Sequence, residues 1–341
     1  MKKLFSLILT MALLAASMAG CAAGKEQQYT ATYLDLFDTV TTVIGHDVTE
    51  EAFREKAQKI YDDLQYYHRL FDIYHDYEGI NNIKTVNDNA GVAPVKVDPA
   101  VIDLLLDCRE FYDLTDGKVN VMMGSVLRLW HEARNNGIND PVGAELPAME
   151  ALQEAAKHCG FDGLQIDKAA STVYISDACA QLDVGAIAKG WATQRAAENA
   201  PEGMLISVGG NVCATGPKLS DGTPWVIGIQ DPDVAGENLH TVLLTKSSVV
   251  TSGDYQRTYT VKGKAYHHII DPNTLMPGTY WRSVSIICAD SGLADALSTA
   301  LFLVDEEAGR ELAQKCGAEV LWVAADGTEY MTDGFREMLR T

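Results

Sequence analysis

The sequence predicts an α+β protein. Short apolar or alternating stretches bounded by glycine and proline, such as Met204–Val208 and Pro224–Ile229, read as strands. Longer stretches with helical spacing, such as Thr49–Phe71, Pro99–Leu114 and Ser291–Leu303, read as helices. The two kinds are interleaved without a low-complexity linker or an internal repeat, and 47% hydrophobic residues suffice for one large core or two intertwined halves.

At the N-terminus, Met1-Lys2-Lys3 precedes an apolar run from Leu4 to Ala16, and small residues lead to Cys21, the pattern of a secretory signal. The run is too short for a comfortable membrane span. A cysteine directly after Ala19-Gly20 resembles the lipobox of bacterial lipoproteins, although Met18 is less usual at its position and plain secretion is the alternative. The expected organisation is a signal peptide over 1–20, a short polar tether over 21–30 beginning with lipidated Cys21, and a single folded unit over 31–341. Such a chain would sit on the extracytoplasmic face of the cell membrane, held by its lipid.

Loss of Lys2 and Lys3, one positive charge each, takes the formal net charge from −20 to −22. So acidic a chain argues against nucleic acid and against anionic lipid beyond the anchor, yet permits a phosphate ligand where a lysine or divalent cation compensates. The six cysteines after Cys21 form no C-x-x-C pair and read as buried small hydrophobes, with disulfides the alternative.

Tyr33–Gly45 reads as a strand, and Thr49 caps the amphipathic helix after it. Phe71–Tyr77 and Ile80–Gly91 read as loop and turns, with Tyr74 free either to stack on a planar ligand or to cap the core. Helices follow over Pro99–Leu114, Ser125–Ala133 and Ala148–His158. Thr172–Ser176 and Ala180–Val184 read as short strands, and Ile187–Ala200 as a helix. Leu239–Val250 suggests more sheet, Val250–Gln256 a polar turn, and Tyr266–Pro272 a strand whose adjacent histidines, His267 and His268, point to opposite faces. No H-E-x-x-H occurs.

Two stretches carry chemistry. Gln181–Gly190 compresses Asp183, Gly185, Lys189 and Gly190 into a strand-to-helix corner. Free N–H groups, close approach at Gly185 and Lys189 reaching back suit a phosphate, an ordinary strand–glycine–helix connection being the alternative. On the helix from Ser291, Asp295 and Thr299 share a face, with Ser298 beside them, and offer hard oxygens to Mg²⁺; a carboxylate answering the helix dipole and a threonine bonded to its own turn is the alternative.

Taken in order, Asp183–Gly190, Ser207–Asn211, Thr251–Tyr255, His267–Pro272 and Ala294–Ala300 resemble the ApbE-like family, the FAD:protein FMN transferases, over a span from about Phe37 to the C-terminus. The resemblance implies a T-fold-related α+β unit of mainly antiparallel sheets with peripheral helices. It implies FAD as substrate, Mg²⁺ as cofactor, release of AMP, and an exported acceptor flavoprotein receiving FMN on a Thr or Ser hydroxyl. By the same resemblance the metal falls on the Ala186 carbonyl, Asp295 and Thr299, with Ser298 where some relatives carry a carboxylate. The flavin falls on Phe37, Tyr74, Lys118, Val119, Asn120, Asp183, Lys189 and Ile270. Departures are Phe37-Asp38 for Met-Gly, Asn120 for Asp, and Leu275 for Gly. A hydroxyl nucleophile needs a base, for which His267, His268, Asp254 and Asp271 are candidates, His268 and Asp254 foremost. The alternatives are a pyrophosphatase on the same site and a lipid-anchored FAD-binding protein without transfer chemistry.

Overall fold

The structure, a computed structural model, describes residues 26–340; the expected signal 1–20 and Cys21 lie outside the described residues. The elements run β1 (Gln27–Leu36), β2 (Thr39–Asp47), α1 (Glu50–Phe71), α2 (Ile83–Asp88), β3 (Val95–Lys96), α3 (Pro99–Leu114), α4 (Gly124–Asn139), α5 (Met149–Ala156), β4 (Leu164–Asp167), β5 (Thr172–Ile175) and α6 (Ala188–Asn199). There follow β6 (Met204–Val208), β7 (Asn211–Thr215), β8 (Trp225–Gln230), β9 (Asn238–Leu244), β10 (Lys246–Gly253), β11 (Tyr259–Val261), β12 (Lys264–Tyr266), β13 (Ser283–Cys288), α7 (Ser291–Phe302), α8 (Glu306–Cys316), β14 (Glu319–Val323), β15 (Glu329–Met331) and α9 (Asp333–Glu337).

Eight strands form one sheet in the order β1-β2-β6-β7-β10-β13-β14-β15, every neighbouring pair antiparallel. Side chains alternate across it. On β6, Met204, Ile206 and Val208 join a core with Phe53, Ala57, Ile60 and Leu64 of α1 and Trp191 of α6, whereas Leu205 joins Trp225, Ile227 and Val242 of the β8–β9 hairpin on the other face. Val284 and Ile286 of β13 likewise meet Leu297 and Leu301 of α7, while Ile287 turns to the hairpin side. Full burial of each such side chain contributes about 1.5–3 kcal/mol, so both faces are needed to hold the sheet. α1 begins where Thr49 accepts the Ala52 N–H, as its sequence predicts.

The local expectations fail in instructive places. The single strand over Tyr33–Gly45 is a hairpin instead, and β1 begins at Gln27, inside the expected tether. The turn-rich Ile80–Gly91 holds α2, nucleated by a capping box between Asn82 and Thr85. Ala180–Val184 forms no strand beyond one bridge from Gln181 to Met123, and β10 runs on through Gly253 where a turn was expected. The strand expected over Tyr266–Pro272 ends at Tyr266 and resumes only as one antiparallel bridge from Ile270 to Pro277, beside which His267 bonds the Ile269 N–H and the Gly278 carbonyl.

The β1–β2 turn places Phe37 and Asp38 both at φ +52°. Two-residue hairpins of this hand favour Asn-Gly, since a Cβ at positive φ is strained by roughly 1–3 kcal/mol. Phe37 has an anchor, described below, and Asp38 is exposed with no side-chain bond. Asp38→Gly is expected to stabilise the protein by about 0.5–1 kcal/mol, the strain relieved exceeding glycine's entropic cost, seen as a higher urea midpoint at unchanged m.

Candidate active site

One cavity of about 550 Å³ opens between the end of the sheet and the α4 layer. Phe37, Tyr74, Lys118, Val119, Asn120, Asp183, Ala186, Lys189, His268, Ile270, Asp295 and Thr299 all line it, although they are spread over most of the chain. The sequence reading therefore brings together every flavin and metal position it named.

One wall begins at the hairpin turn. The Phe37 N–H donates to His68 Nδ1 at 3.1 Å, and the rings meet edge to face. Burial pushes His68 below its ordinary value, which keeps the imidazole neutral with Nδ1 free to accept. Its Nε2 lies 3.3 Å from the Tyr77 hydroxyl, which donates to Asp72. Asp72 also accepts the backbone N–H groups of Tyr74 and His75. Burial would raise this carboxyl, but those donors outweigh it and hold the group below the usual carboxylate range. The chain of bonds fixes the backbone of Tyr74, whose ring is 55% exposed at the cavity rather than capping the core.

The corner is built differently from its sequence expectation. The Gly185 N–H is taken by Asp183 Oδ1 at 2.9 Å, and the N–H groups of Ile187 and Ala188 go to the Val184 carbonyl, so few donors at this helix start are free. Lys189 does reach back, its Nζ 3.3 Å from the Gly185 carbonyl. Whereas Gly185 meets only the Asp183 carboxylate, the glycine that packing itself requires is Gly190. α6 crosses α7 there, and a Cβ on Gly190 would run into the Ser291 carbonyl and Asp295 Cβ. Gly190→Ala is expected to cost about 3 kcal/mol, a fall in Tm of roughly 4–5 °C by calorimetry, because backbone rather than a flexible side chain stands in the way.

That crossing presents Asp295, 4% exposed. Its Oδ2 accepts the Gly190 N–H at 2.8 Å and lies 3.6 Å from Lys189 Nζ. Thr299 lines the cavity one turn on and makes no bond to its own turn among the described hydrogen bonds. Asp295, Thr299 and Ala186 line one space, and a carboxylate, a hydroxyl and a backbone carbonyl are all hard oxygen donors of the kind that fits Mg²⁺. Ser298 does not line that space; it donates to the Asp295 carbonyl and pairs with Ser252, a role in helix packing.

Other assignments divide. Lys118 lines the cavity but is paired with Asp271 at 3.0 Å, which removes Asp271 as a base and anchors the lysine. The Asn120 amide is consumed by the Cys159 carbonyl and the Met122 N–H, so its side chain shapes the wall more than it binds. Asp254, expected as a base, does not line the cavity, and Arg282 holds its carboxylate at 2.9 Å. His267 is buried against Gly278 and Ile269, whereas His268 lines the cavity, its Nδ1 buried and without a partner among the described residues. Cys179 is exposed, against the expectation of a buried hydrophobe, while Cys108, Cys213 and Cys288 are buried.

Sequence reading missed His131, Arg134, Arg257 and the cavity role of Asn211. Neither Arg134 nor Arg257 makes an ion pair among the described residues, and burial together with the charge of Arg257 lowers Arg134. Two unpaired guanidinium groups on one cavity in so acidic a chain mark an anion site. Arg257 stands two residues beyond the Thr251–Tyr255 motif, which was the available signal; Arg134 lies on α4 with none. Asn211, 2% exposed, lines the cavity with its Nδ2 lacking a partner.

The sequence model of the ApbE family matches residues 36–322. The FAD:protein FMN transferase of Treponema pallidum is 34% identical over 277 residues, covering 76% of this chain and 75% of that one. The FAD:protein FMN transferase of Haemophilus influenzae is 27% identical over 366 aligned positions, 100% and 99% of the two chains. Among solved structures, the ApbE protein of Thermotoga maritima aligns with a TM-score of 0.80 at 30% identity, covering 92% of this chain and all of that one.

Proposed function

The chain belongs to the ApbE family, and from that premise we propose that it transfers FMN from FAD to a Thr or Ser hydroxyl of an exported acceptor flavoprotein, with AMP released. The observation that supports this reading best is the gathering of Asp295, Thr299, Ala186, Lys189 and His268 on one cavity large enough for part of a dinucleotide.

In the step proposed, the acceptor hydroxyl oxygen forms a bond to the phosphorus of the FMN half, and the P–O–P bridge breaks with its electron pair leaving on AMP. The hydroxyl proton passes to the His268 imidazole. Lys189, Arg134 and Arg257 supply positive charge where the pyrophosphate is negative, and the Asn211 amide adds an unspent donor. Phe37 and the exposed ring of Tyr74 offer apolar faces for a planar ring. Mg²⁺ held by the Ala186 carbonyl, Asp295 and Thr299 would neutralise phosphate charge and polarise the reacting phosphorus.

The N-terminal residues support anchorage through Cys21 on the extracytoplasmic face, where an exported acceptor would be met; a Cys21→Ala chain should then leave the membrane fraction. For the reaction itself, the purified protein is mixed with FAD, Mg²⁺ and a candidate acceptor, with AMP followed by chromatography and the acceptor by mass. AMP together with an FMN-sized gain on the acceptor supports the transferase. AMP with free FMN only, across several acceptors, would make it a hydrolase, and intact bound FAD would leave a binding protein.

A further inference from the structure

A second cluster of ligating side chains lies away from the cavity. His158 follows α5, and Asp177 and Cys179 follow β5. One ligand atom from each of the three lies within 4.8 Å of the others. His158 Nδ1 and Asp177 Oδ2 are 2.6 Å apart, and the Cys179 N–H donates to Asp177 Oδ1, which turns the thiol toward the pair. The Cys179 thiol is exposed and has no hydrogen-bond partner among the described residues.

Nitrogen, oxygen and sulfur donors together suit a borderline-soft ion and are poor ligands for Mg²⁺. Asp295, Thr299 and the Ala186 carbonyl are all oxygen. The two donor sets thus select different metals. Partial exposure of His158 and Asp177, 27% and 40% at the side chain, gives an ion access and leaves water for a fourth position.

We propose that His158, Asp177 and Cys179 bind a divalent ion of the Zn²⁺ type, which pins the end of α5 to the segment that runs into the 183–189 corner. Ligands of a tetrahedral ion stand further apart than hydrogen-bond partners. Binding therefore replaces the proton shared by His158 and Asp177, releases the thiol proton, and opens that contact. Both pinned segments bond to elements that form the cavity wall, Asn120 directly and α4 through its first turn, the helix that carries Leu127, His131 and Arg134 to the cavity. The Cys159 carbonyl accepts from Asn120, the Cys179 carbonyl accepts from Ser125, and the Gln181 carbonyl accepts the Gly124 N–H. The ion is a structural clasp outside the reacting centre, and its binding requires neither FAD nor transfer.

The test is a Co²⁺ titration of the purified protein, read by the thiolate-to-cobalt charge-transfer band. One equivalent is expected, displaced by Zn²⁺ and unaffected by excess Mg²⁺. Cys179→Ser should abolish the band, and His158→Ala and Asp177→Asn should each weaken binding at least about tenfold. Zn²⁺ should raise the Tm of the parent protein and not that of Cys179→Ser, a variant at an exposed position that leaves the core untouched. No band, a band that survives Cys179→Ser, or one indifferent to both His158→Ala and Asp177→Asn would overturn the proposal, the last marking capture by a single thiol.

Discussion

Asp295→Asn is expected to slow AMP formation from FAD by about 10²–10³-fold while the protein stays folded. The amide keeps an oxygen for the Gly190 N–H, so the α6–α7 crossing retains its 2.8 Å bond. What it removes is the negative charge on a buried group that faces the cavity and Lys189. A carboxylate kept 4% exposed with a lysine only 3.6 Å away is a poor investment in stability alone, because such pairs recover little more than their desolvation cost. Single-turnover AMP release should therefore collapse while FAD binding, read by flavin fluorescence, falls far less. A variant turning over within about threefold of the parent would remove Asp295 from the reaction.

His268→Gln is expected to lower transfer by about 10²–10⁴-fold and to alter its pH dependence. Burial, then the charges of Arg257, His267 and Lys189, push His268 down to about 3. In the free protein the imidazole is thus neutral at any physiological pH, but a weak base. An anionic pyrophosphate against Arg257 and Lys189 would cancel two of those charges and raise His268 toward a useful range, so the acid limb of kcat should lie above that of kcat/KM. Stability gives a second readout. The unfolded side chain takes its proton near 6.5 and the folded one only near 3, so its contribution is complete above pH 6.5 and is lost as pH falls toward 3. His268→Gln should flatten that part of the acid-unfolding curve. If the profile and the curve both stay those of the parent, the histidine is not the base.

The parts legible in the sequence were those whose signal is local. Helical periodicity gave α1, α3 and α7, and the Asp295/Thr299 spacing placed two oxygens on one helix face without further information. Lys189 reaching back from the first turn was also a local reading. The failures share a cause: they depend on what the chain meets from afar. Gly190 is indispensable only because α7 crosses above it, a contact that no local pattern announces. The donors at the corner looked free because Asp183 had not yet been seen to turn back on Gly185. Phe37-Asp38 is a weak hairpin signal, since Asp tolerates positive φ but Phe does not and no glycine follows, and the turn exists because ten residues of β1 find β2 and His68 holds the Phe37 N–H. Arg134 could not be placed at all. Nothing in an amphipathic helix says which of its charged residues faces a cavity.

The spread of the cavity along the chain has a kinetic consequence. Its walls run from Phe37 to Thr299, and β2 waits for β6, its sheet partner more than a hundred and fifty residues later, while Lys118 waits for Asp271. Pairings of such long sequence separation close late. A ribosome that has made the first two thirds of this chain has made no binding site, and the hairpin, α1 and the α3–α4 layer must be held apart from premature partners until the last quarter emerges. Affinity for nucleotide should accordingly arrive in one step with the docking of α7 rather than grow with chain length, so truncated or stalled chains would carry no flavin.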